Sequence, residues 1–133
     1  MRPVGNYECA LLFYRGKLPK FRNDGRMVFQ NMDWIQDTVK YPKIHPTQKP
    51  VALLEFLIKT FTDVDDVVID CCAGSGTTLV AAGNLNRKAY GFEIKKEFVK
   101  GFYDQLFPLI SPDMFSQQEK HERDEQIKQG YFL

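Results

Sequence analysis

The feature that most constrains the fold is a succession of strand, turn and helix patterns between Val67 and Phe92. Val67 to Asp70 is a β-branched apolar run ending in a carboxylate, as expected for a strand buried on both faces. Gly74-Ser75-Gly76 then turns the chain tightly, and Thr77 to Asn84 has the pattern of a helix. Ala89 to Phe92 follows as a second short strand. Strand, glycine turn, helix and strand make one βαβ unit, which predicts an α/β fold with a mainly parallel sheet and flanking helices.

Further elements are predicted on both sides of this unit. Apolar residues at helical spacing predict an amphipathic helix from about residue 50 to 62 and another from Lys95 to about Leu109. Tyr7 to Tyr14 is rich in apolar and aromatic residues, which predicts a strand. Residues 18–41 predict a loop-rich excursion, and the charged stretch from Gln117 to Lys128 predicts an exposed helix.

Length and composition fit one globular domain and exclude several classes of protein. The chain has 133 residues and a formal net charge of +1, so no overall basic field marks a nucleic-acid binder. No apolar run is long enough for a membrane span, and no basic-then-apolar leader is seen. The cysteines, Cys9, Cys71 and Cys72, lack the spacing of a disulfide framework or a zinc site. They predict reduced, buried thiols in a cytoplasmic protein without a bound metal.

The glycine turn and the carboxylates at the strand ends are the residues suited to binding a ligand. Gly74 and Gly76 let a ligand approach the backbone closely, and Glu93 is placed to accept hydrogen bonds from ribose hydroxyls. The spacing is not GxGxxG and no Walker lysine follows, so dinucleotides and nucleoside triphosphates are poor candidates. Two simpler interpretations remain open, in which the glycines serve turn geometry alone and Asp70 only caps a helix.

A second motif lies upstream, at His45-Pro46-Thr47-Gln48-Lys49-Pro50. With the Asp70 to Thr78 loop and Glu93, it closely resembles the DNA methyltransferases that modify the exocyclic amino groups of adenine or cytosine. The resemblance is to the members with permuted motif order, and it covers residues 45 to 93 in order. It implies a partial Rossmann-like methyltransferase fold, S-adenosylmethionine as the cofactor and DNA as the substrate.

The resemblance also implies roles for individual residues. The glycine loop would surround the methionine part of the cofactor, Glu93 would hold the ribose hydroxyls, and Thr47 with its neighbours would contact the amino-acid end. His45 could instead pack between prolines, and Lys49 could be a solvated charge. The cofactor-binding residues implied in this way are His45, Thr47, Gln48, Asp70, Cys72, Gly74, Ser75, Gly76, Thr77 and Glu93.

The sequence departs from the family pattern in two places. Cys72 stands where the family usually has a phenylalanine beside the cofactor, and the smaller side chain leaves a looser pocket. The catalytic tetrapeptide, a polar or acidic residue followed by two prolines and an aromatic, is absent, since the 133 residues contain no Pro-Pro pair. In the permuted order this motif precedes everything seen here, so we expect the chain to begin after it. No catalytic residue is identified.

These departures predict a single partial domain that needs partners. A sheet of three or four strands would have an open edge and an uncovered face, so we expect association with a companion polypeptide, a second copy or DNA. A local DNA-facing patch is predicted in the loop region, although a merely solvated loop fits as well; the patch comprises Lys17, Lys20, Arg22 and Arg26. The domain divides into a strand and recognition-like loop region at 1–44, a cofactor-binding core at 45–110 and a charged tail at 111–133.

Two classes of function follow. In the first, the chain is the cofactor-binding part of a DNA methyltransferase, in which an extruded base attacks the methyl sulfonium directly. In the second, it is a non-catalytic methyltransferase-like binding protein that regulates or inhibits a restriction-modification system. Small size and weak charge also suit a phage gene.

Overall fold

A computed structural model describes residues 10–18, 21–22 and 37–110. Its regular elements alternate between helices and short strands in the second half of this range. They are α1 (Val51–Phe61), β1 (Val67–Asp70), α2 (Thr77–Asn84), β2 (Lys88–Gly91) and α3 (Lys96–Gly101), which continues into a π-helical turn (Phe102–Leu106) and a 3-10 turn (Phe107–Leu109).

The sheet of the described residues has two parallel strands. Val67 pairs with Lys88 and Asp70 with Gly91, in unbroken register, and α2 connects the strands. The predicted βαβ unit is therefore confirmed, with β2 beginning one residue earlier than expected. Because parallel strands end at the same edge, the loops that follow Asp70 and Gly91 lie side by side.

Helix α1 begins directly after Pro50, whose fixed φ of −58° suits the start of a helix. It ends where Thr62 leaves the helical region, with the Thr62 hydroxyl donating to the Ile58 carbonyl at 2.7 Å. α1 packs against α2, whose middle, Val80 to Ala82, is fully buried. A polar link joins the same two helices, because the Asn84 amide donates to Glu55 Oε1 at 2.7 Å.

A buried arginine ties the end of α1 to the turn before β2. The Arg87 guanidinium donates to the Thr62 hydroxyl at 3.0 Å, to the Thr62 carbonyl at 2.8 Å and to the Leu85 carbonyl at 2.6 Å. These acceptors satisfy a charged group that burial would otherwise penalise.

The face of the sheet away from α1 and α2 carries exposed apolar side chains. Exposed fractions are 53% for Val67, 61% for Ile69, 41% for Tyr90 and 55% for Phe92. The prediction that β1 is buried on both faces is therefore wrong for the described part of the chain. The physical reason is that burial alternates along β1, with Val68 packed against the core and its two neighbours pointing to the open face.

The predictions for the N-terminal strand, the cysteines and the tail concern residues outside the two strands and α2. Within the predicted strand Tyr7 to Tyr14, residues 10–14 are described and form no strand, while residues 7–9 lie outside the described ranges. The prediction of buried thiols is wrong for Cys71 and Cys72, which are both exposed because they lie in the loop after β1, beyond the packed helices. Cys9 and the stretch from Gln117 to Lys128 lie outside the described residues. In the described parts of the chain, no helix is long and apolar enough to cross a membrane.

Candidate functional site

The loop from Asp70 to Gly76, here called the glycine loop, continues the backbone hydrogen bonding of the sheet beyond the carboxyl ends of its strands. The Phe92 N–H donates to the Asp70 carbonyl and the Ala73 N–H to the Phe92 carbonyl, both at 2.9 Å. The Asp70 carboxylate accepts the Cys72 N–H at 3.0 Å. The loop is thus tied to the chain after β2, and the Asp70 side chain shapes the loop rather than capping α2.

Two glycines in this loop adopt backbone angles that other residues rarely take. Gly74 has a φ of +55° and Gly76 a φ of +77°. At Gly76 a methyl group would also stand 2.4 Å from Phe102 Cδ2, so the aromatic ring occupies the side-chain position. Gly91, at the end of β2, is crowded by Leu79, which would stand 2.7 Å from an added methyl group.

The carboxylate of Glu93 is bonded to the backbone on both sides of the site. Oε1 accepts the Lys95 N–H at 2.8 Å and Oε2 accepts the Gly74 N–H at 2.9 Å. These bonds, the first being the larger cause, hold the pKa of Glu93 below its usual value even though partial burial opposes the shift. Glu93 is therefore ionised at neutral pH, and its oxygens keep lone pairs for further donors.

Within the His45 to Pro50 motif, Gln48 acts as an internal brace. Its side-chain oxygen accepts the Ile44 N–H at 3.0 Å, and its amide nitrogen donates to the Pro42 carbonyl at 3.1 Å. Both ends of the amide are thus engaged within residues 41–50, the connector that precedes α1. The predicted contact of Gln48 with a cofactor stays a prediction, while bracing the motif is what the structure records for this side chain.

His45 brings the upstream motif and the glycine loop together. Its Nδ1 accepts the Thr47 N–H at 3.2 Å and lies 3.1 Å from the Thr47 hydroxyl. The ring meets Phe98 edge-on, with centroids 4.3 Å apart, and lies over the open side of Gly74, where an added methyl group would stand 3.5 Å from Cδ2. Two stretches that are separate in sequence therefore meet at Gly74.

Ser75 and Thr77 lie under the loop. Both are buried, and their hydroxyl oxygens are 3.4 Å apart. Cys72 is exposed at the outer side of the same loop. The ten predicted cofactor-binding residues thus lie in the His45 to Pro50 motif, from Asp70 at the end of β1 to Thr77 at the start of α2, and at Glu93 after β2, and their contact with a cofactor stays a prediction.

A small cavity opens beside the loop, and sequence reasoning missed several of its walls. Its lining is apolar apart from the Glu93 carboxylate; the lining residues are Ala73, Gly74, Gly76, Leu79, Gly91, Glu93, Val99, Phe102 and Tyr103. Phe102 belongs to the apolar residues at helical spacing in the predicted helix from Lys95 to about Leu109. Its spacing of four residues from Phe98 is the available signal, since it places the ring of Phe98 in α3 and that of Phe102 in the π-helical turn on the side that faces the site.

The predicted DNA-facing patch is described only in part. Lys17 is exposed, whereas Lys20 and Arg26 lie outside the described residues. Arg22 forms an ion pair with Asp63, and its N–H donates to the Thr60 carbonyl at 2.9 Å. Arg22 is thus anchored at the end of α1, and the patch stays a prediction.

Comparison with known proteins places the chain in a family. Residues 5–104 match the family model of the N6 and N4 DNA methylases. The chain therefore belongs to the DNA methylase family. This family uses S-adenosylmethionine as its methyl donor.

Several members resemble this chain over part of their length. The putative methylase YubD of Escherichia coli K12 is 44% identical over 75% of this chain and 41% of its own length. The methyltransferase M2.MboI of Moraxella bovis is 31% identical over 81% of this chain and 48% of its own. The methyltransferase M.BglII of Bacillus subtilis is 46% identical over 47% of this chain and 18% of its own. The chain thus spans less than half of each of these relatives.

Two solved structures with S-adenosylmethionine are similar over a smaller part. M1.HpyAVI is 43% identical over 47% of this chain and 31% of its own, with a TM-score of 0.46. The putative DNA modification methylase TTHA0409 of Thermus thermophilus is 35% identical over 47% of this chain and 26% of its own, also with a TM-score of 0.46.

Proposed function

We propose that this chain is the S-adenosylmethionine-binding part of a DNA methyltransferase that methylates the exocyclic amino group of adenine or cytosine. The observation that carries the proposal is the meeting of the His45 to Pro50 motif with the glycine loop at Gly74, beside the ionised Glu93 carboxylate. A glycine loop after one parallel strand and a carboxylate after the next are features of nucleoside-binding sites, and a small, mostly apolar cavity lies beside them.

The residues of the chain would bind and orient the cofactor. S-adenosylmethionine supplies an electrophilic methyl group on its sulfonium when bound. Gly74 and Gly76 would form the turn around its methionine part, since both have positive φ angles that glycine adopts readily. Glu93 would accept hydrogen bonds from the ribose while it keeps the glycine loop in place. Cys72, exposed at the loop, would form a smaller wall than the phenylalanine of the family pattern.

Calorimetric titration of the full chain with S-adenosylmethionine tests the proposal. We expect binding by the wild type and weaker binding by Glu93→Gln, because the amide offers only one acceptor oxygen. Asp37→Asn is a matched control, since the Asp37 carboxylate also accepts two backbone N–H groups, from Val39 and Lys40, but belongs to another turn. Absence of binding by the wild type would contradict the proposal.

The exposed sheet face supports a further part of the proposal, a protein partner. Parallel sheets are normally covered on both faces, and here Ile69 and Phe92 are uncovered on one. The relatives contain more than half of their length beyond the matched part. We take the occupant of this face to be the remaining part of a DNA methylase domain, which would contribute the Pro-Pro-aromatic motif and with it the choice between adenine and cytosine.

The second candidate function is a non-catalytic binding protein of a restriction-modification system, and the same bare face favours it. The two functions differ in their response to Gly74→Asp, which places a negative side chain at the centre of the proposed cofactor site. Loss of DNA methylation in cells that also express a methylase part with the Pro-Pro-aromatic motif supports the enzyme. A methylase complex that forms with the wild type and Gly74→Asp alike, without cofactor binding by either, supports the binding protein.

A further inference from the structure

Gly74 is held between two side chains that come from different parts of the chain. Its N–H donates to Glu93 Oε2 at 2.9 Å, which ties it to the end of β2. On its other side the His45 imidazole fills the space next to the backbone. Glycine adopts positive and negative φ angles with nearly equal ease. The φ of +55° at Gly74 is therefore stabilised by the contacts on its two sides.

The His45 ring is held by contacts with other residues of the chain. Its Nδ1 is engaged by the N–H and the hydroxyl of Thr47, and its ring is packed edge-on against Phe98 of α3. Gln48 closes the loop around it through Ile44 and Pro42. The ring therefore lies between Phe98 of α3 and the glycine loop and contacts both.

We propose that His45 is a positioning residue, which acts on the cofactor through the conformation of Gly74 instead of binding the cofactor itself. The inference rests on the proposed function. Without the ring, the glycine loop would sample further conformations, and S-adenosylmethionine would have to select one of them on binding, which lowers its apparent affinity.

Three substitutions separate packing from hydrogen bonding. His45→Phe keeps a ring next to Gly74 and Phe98 but has no acceptor for Thr47. His45→Asn keeps an acceptor for the Thr47 N–H but loses the ring. His45→Ala loses both. If the ring acts by packing, Phe preserves function better than Asn; if Nδ1 or Nε2 binds the cofactor, Phe is as damaging as Ala.

The exposed thiols of Cys71 and Cys72 report on the loop independently of the cofactor, since both precede Gly74 in it. Their alkylation by iodoacetamide is followed by peptide mass spectrometry on the full chain without ligand. Calorimetry with S-adenosylmethionine is run on the same samples. Lys43→Ala, which removes an exposed side chain of the same connector, is the control.

We expect His45→Ala and His45→Asn to weaken cofactor binding by about tenfold and to change the alkylation rates of both thiols, with His45→Phe and Lys43→Ala close to wild type. Binding by His45→Ala equal to wild type overturns the inference. So does a loss in His45→Phe as large as in His45→Ala with unchanged alkylation rates. If the wild type does not bind S-adenosylmethionine, the proposed function fails, and the alkylation rates alone then decide whether His45 sets the loop.

Discussion

Two glycines with nearly the same backbone angle differ in their surroundings. Gly16 has a φ of +79° and Gly76 a φ of +77°. A methyl group at Gly16 would meet nothing within 4 Å, whereas one at Gly76 would overlap the Phe102 ring. The pair therefore separates the cost of the backbone conformation from the cost of crowding beneath the glycine loop.

Gly16→Ala is expected to cost about 1–2 kcal/mol of unfolding free energy, since only the left-handed backbone is penalised. Gly76→Ala is expected to cost about 1–3 kcal/mol more, because Phe102 must move out of a packed position. Urea denaturation followed by circular dichroism measures both values. Equal losses would show that the Phe102 ring yields without strain.

The Glu93 carboxylate gives a pH dependence of known sign. Its pKa is lowered in the folded chain by the N–H groups of Lys95 and Gly74, so it contributes stability above the ordinary carboxyl pKa of 4.5. That contribution is lost as the pH falls through the lower folded value. Gln does not titrate, so Glu93→Gln lacks this loss of stability in acid. The urea midpoint of the wild type is therefore expected to approach that of Glu93→Gln as the pH is lowered from 6 to 3. A constant difference across this range would contradict the assignment.

At the scale of elements, α1, β1 and α2 were predictable because each rests on local signals. Pro50 begins α1, a β-branched run makes β1, and Gly76 precedes α2. The single helix predicted from Lys95 to Leu109 is instead divided into α3, a π-helical turn and a 3-10 turn. The division lies where Phe102 packs on Gly76, a tertiary contact that spacing along the sequence does not encode.

The connection between α1 and the turn before β2 depends on the forked guanidinium group of Arg87, whose three nitrogens donate to Thr62 and Leu85. Arg87→Lys would keep the charge but supply a single nitrogen for three acceptors, so we expect a loss of about 2–4 kcal/mol in unfolding free energy. Thr62→Val removes the hydroxyl that accepts from Arg87 and donates to the Ile58 carbonyl but keeps the bond from Arg87 to the Thr62 carbonyl, and a loss of about 1–2 kcal/mol is expected. Thermal and urea unfolding of both variants provide the measurement; an Arg87→Lys protein as stable as wild type would exclude a role for the fork.

At the scale of the whole molecule, the sequence indicated which motifs lie next to each other but not which side chains are exposed to solvent. The two motifs around Gly74 were paired through resemblance, and their adjoining positions agree with it. The exposure of Ile69 was not predictable, because apolar runs in parallel sheets are usually buried and a sequence does not show which face of a sheet is exposed. The exposure of Cys71 was not predictable either, because it depends on how the loop after β1 lies relative to the packed helices. The role of Gln48 as a brace depends on loop geometry and has no sequence signature.

Neighbouring residues in β1 provide a test of the bare face. Ile69→Asp is expected to change the unfolding free energy by about 0.5 kcal/mol or less, since the side chain is exposed. Val68→Asp faces the core cluster and is expected to cost about 3 kcal/mol or more, because it places a carboxylate among apolar side chains. Urea denaturation compares them. If Ile69→Asp were as damaging as Val68→Asp, the open face would be covered in solution.

The parallel pairing of β1 with β2 also bears on the order of folding. All its partners are 21 residues apart, with α2 between them, so the βαβ unit closes over a short span of chain. Short loops lose little entropy on closure, and contacts of low sequence separation form early. We therefore expect β1, α2 and β2 to form together as one unit, and the connector with His45 to dock onto the glycine loop of that unit.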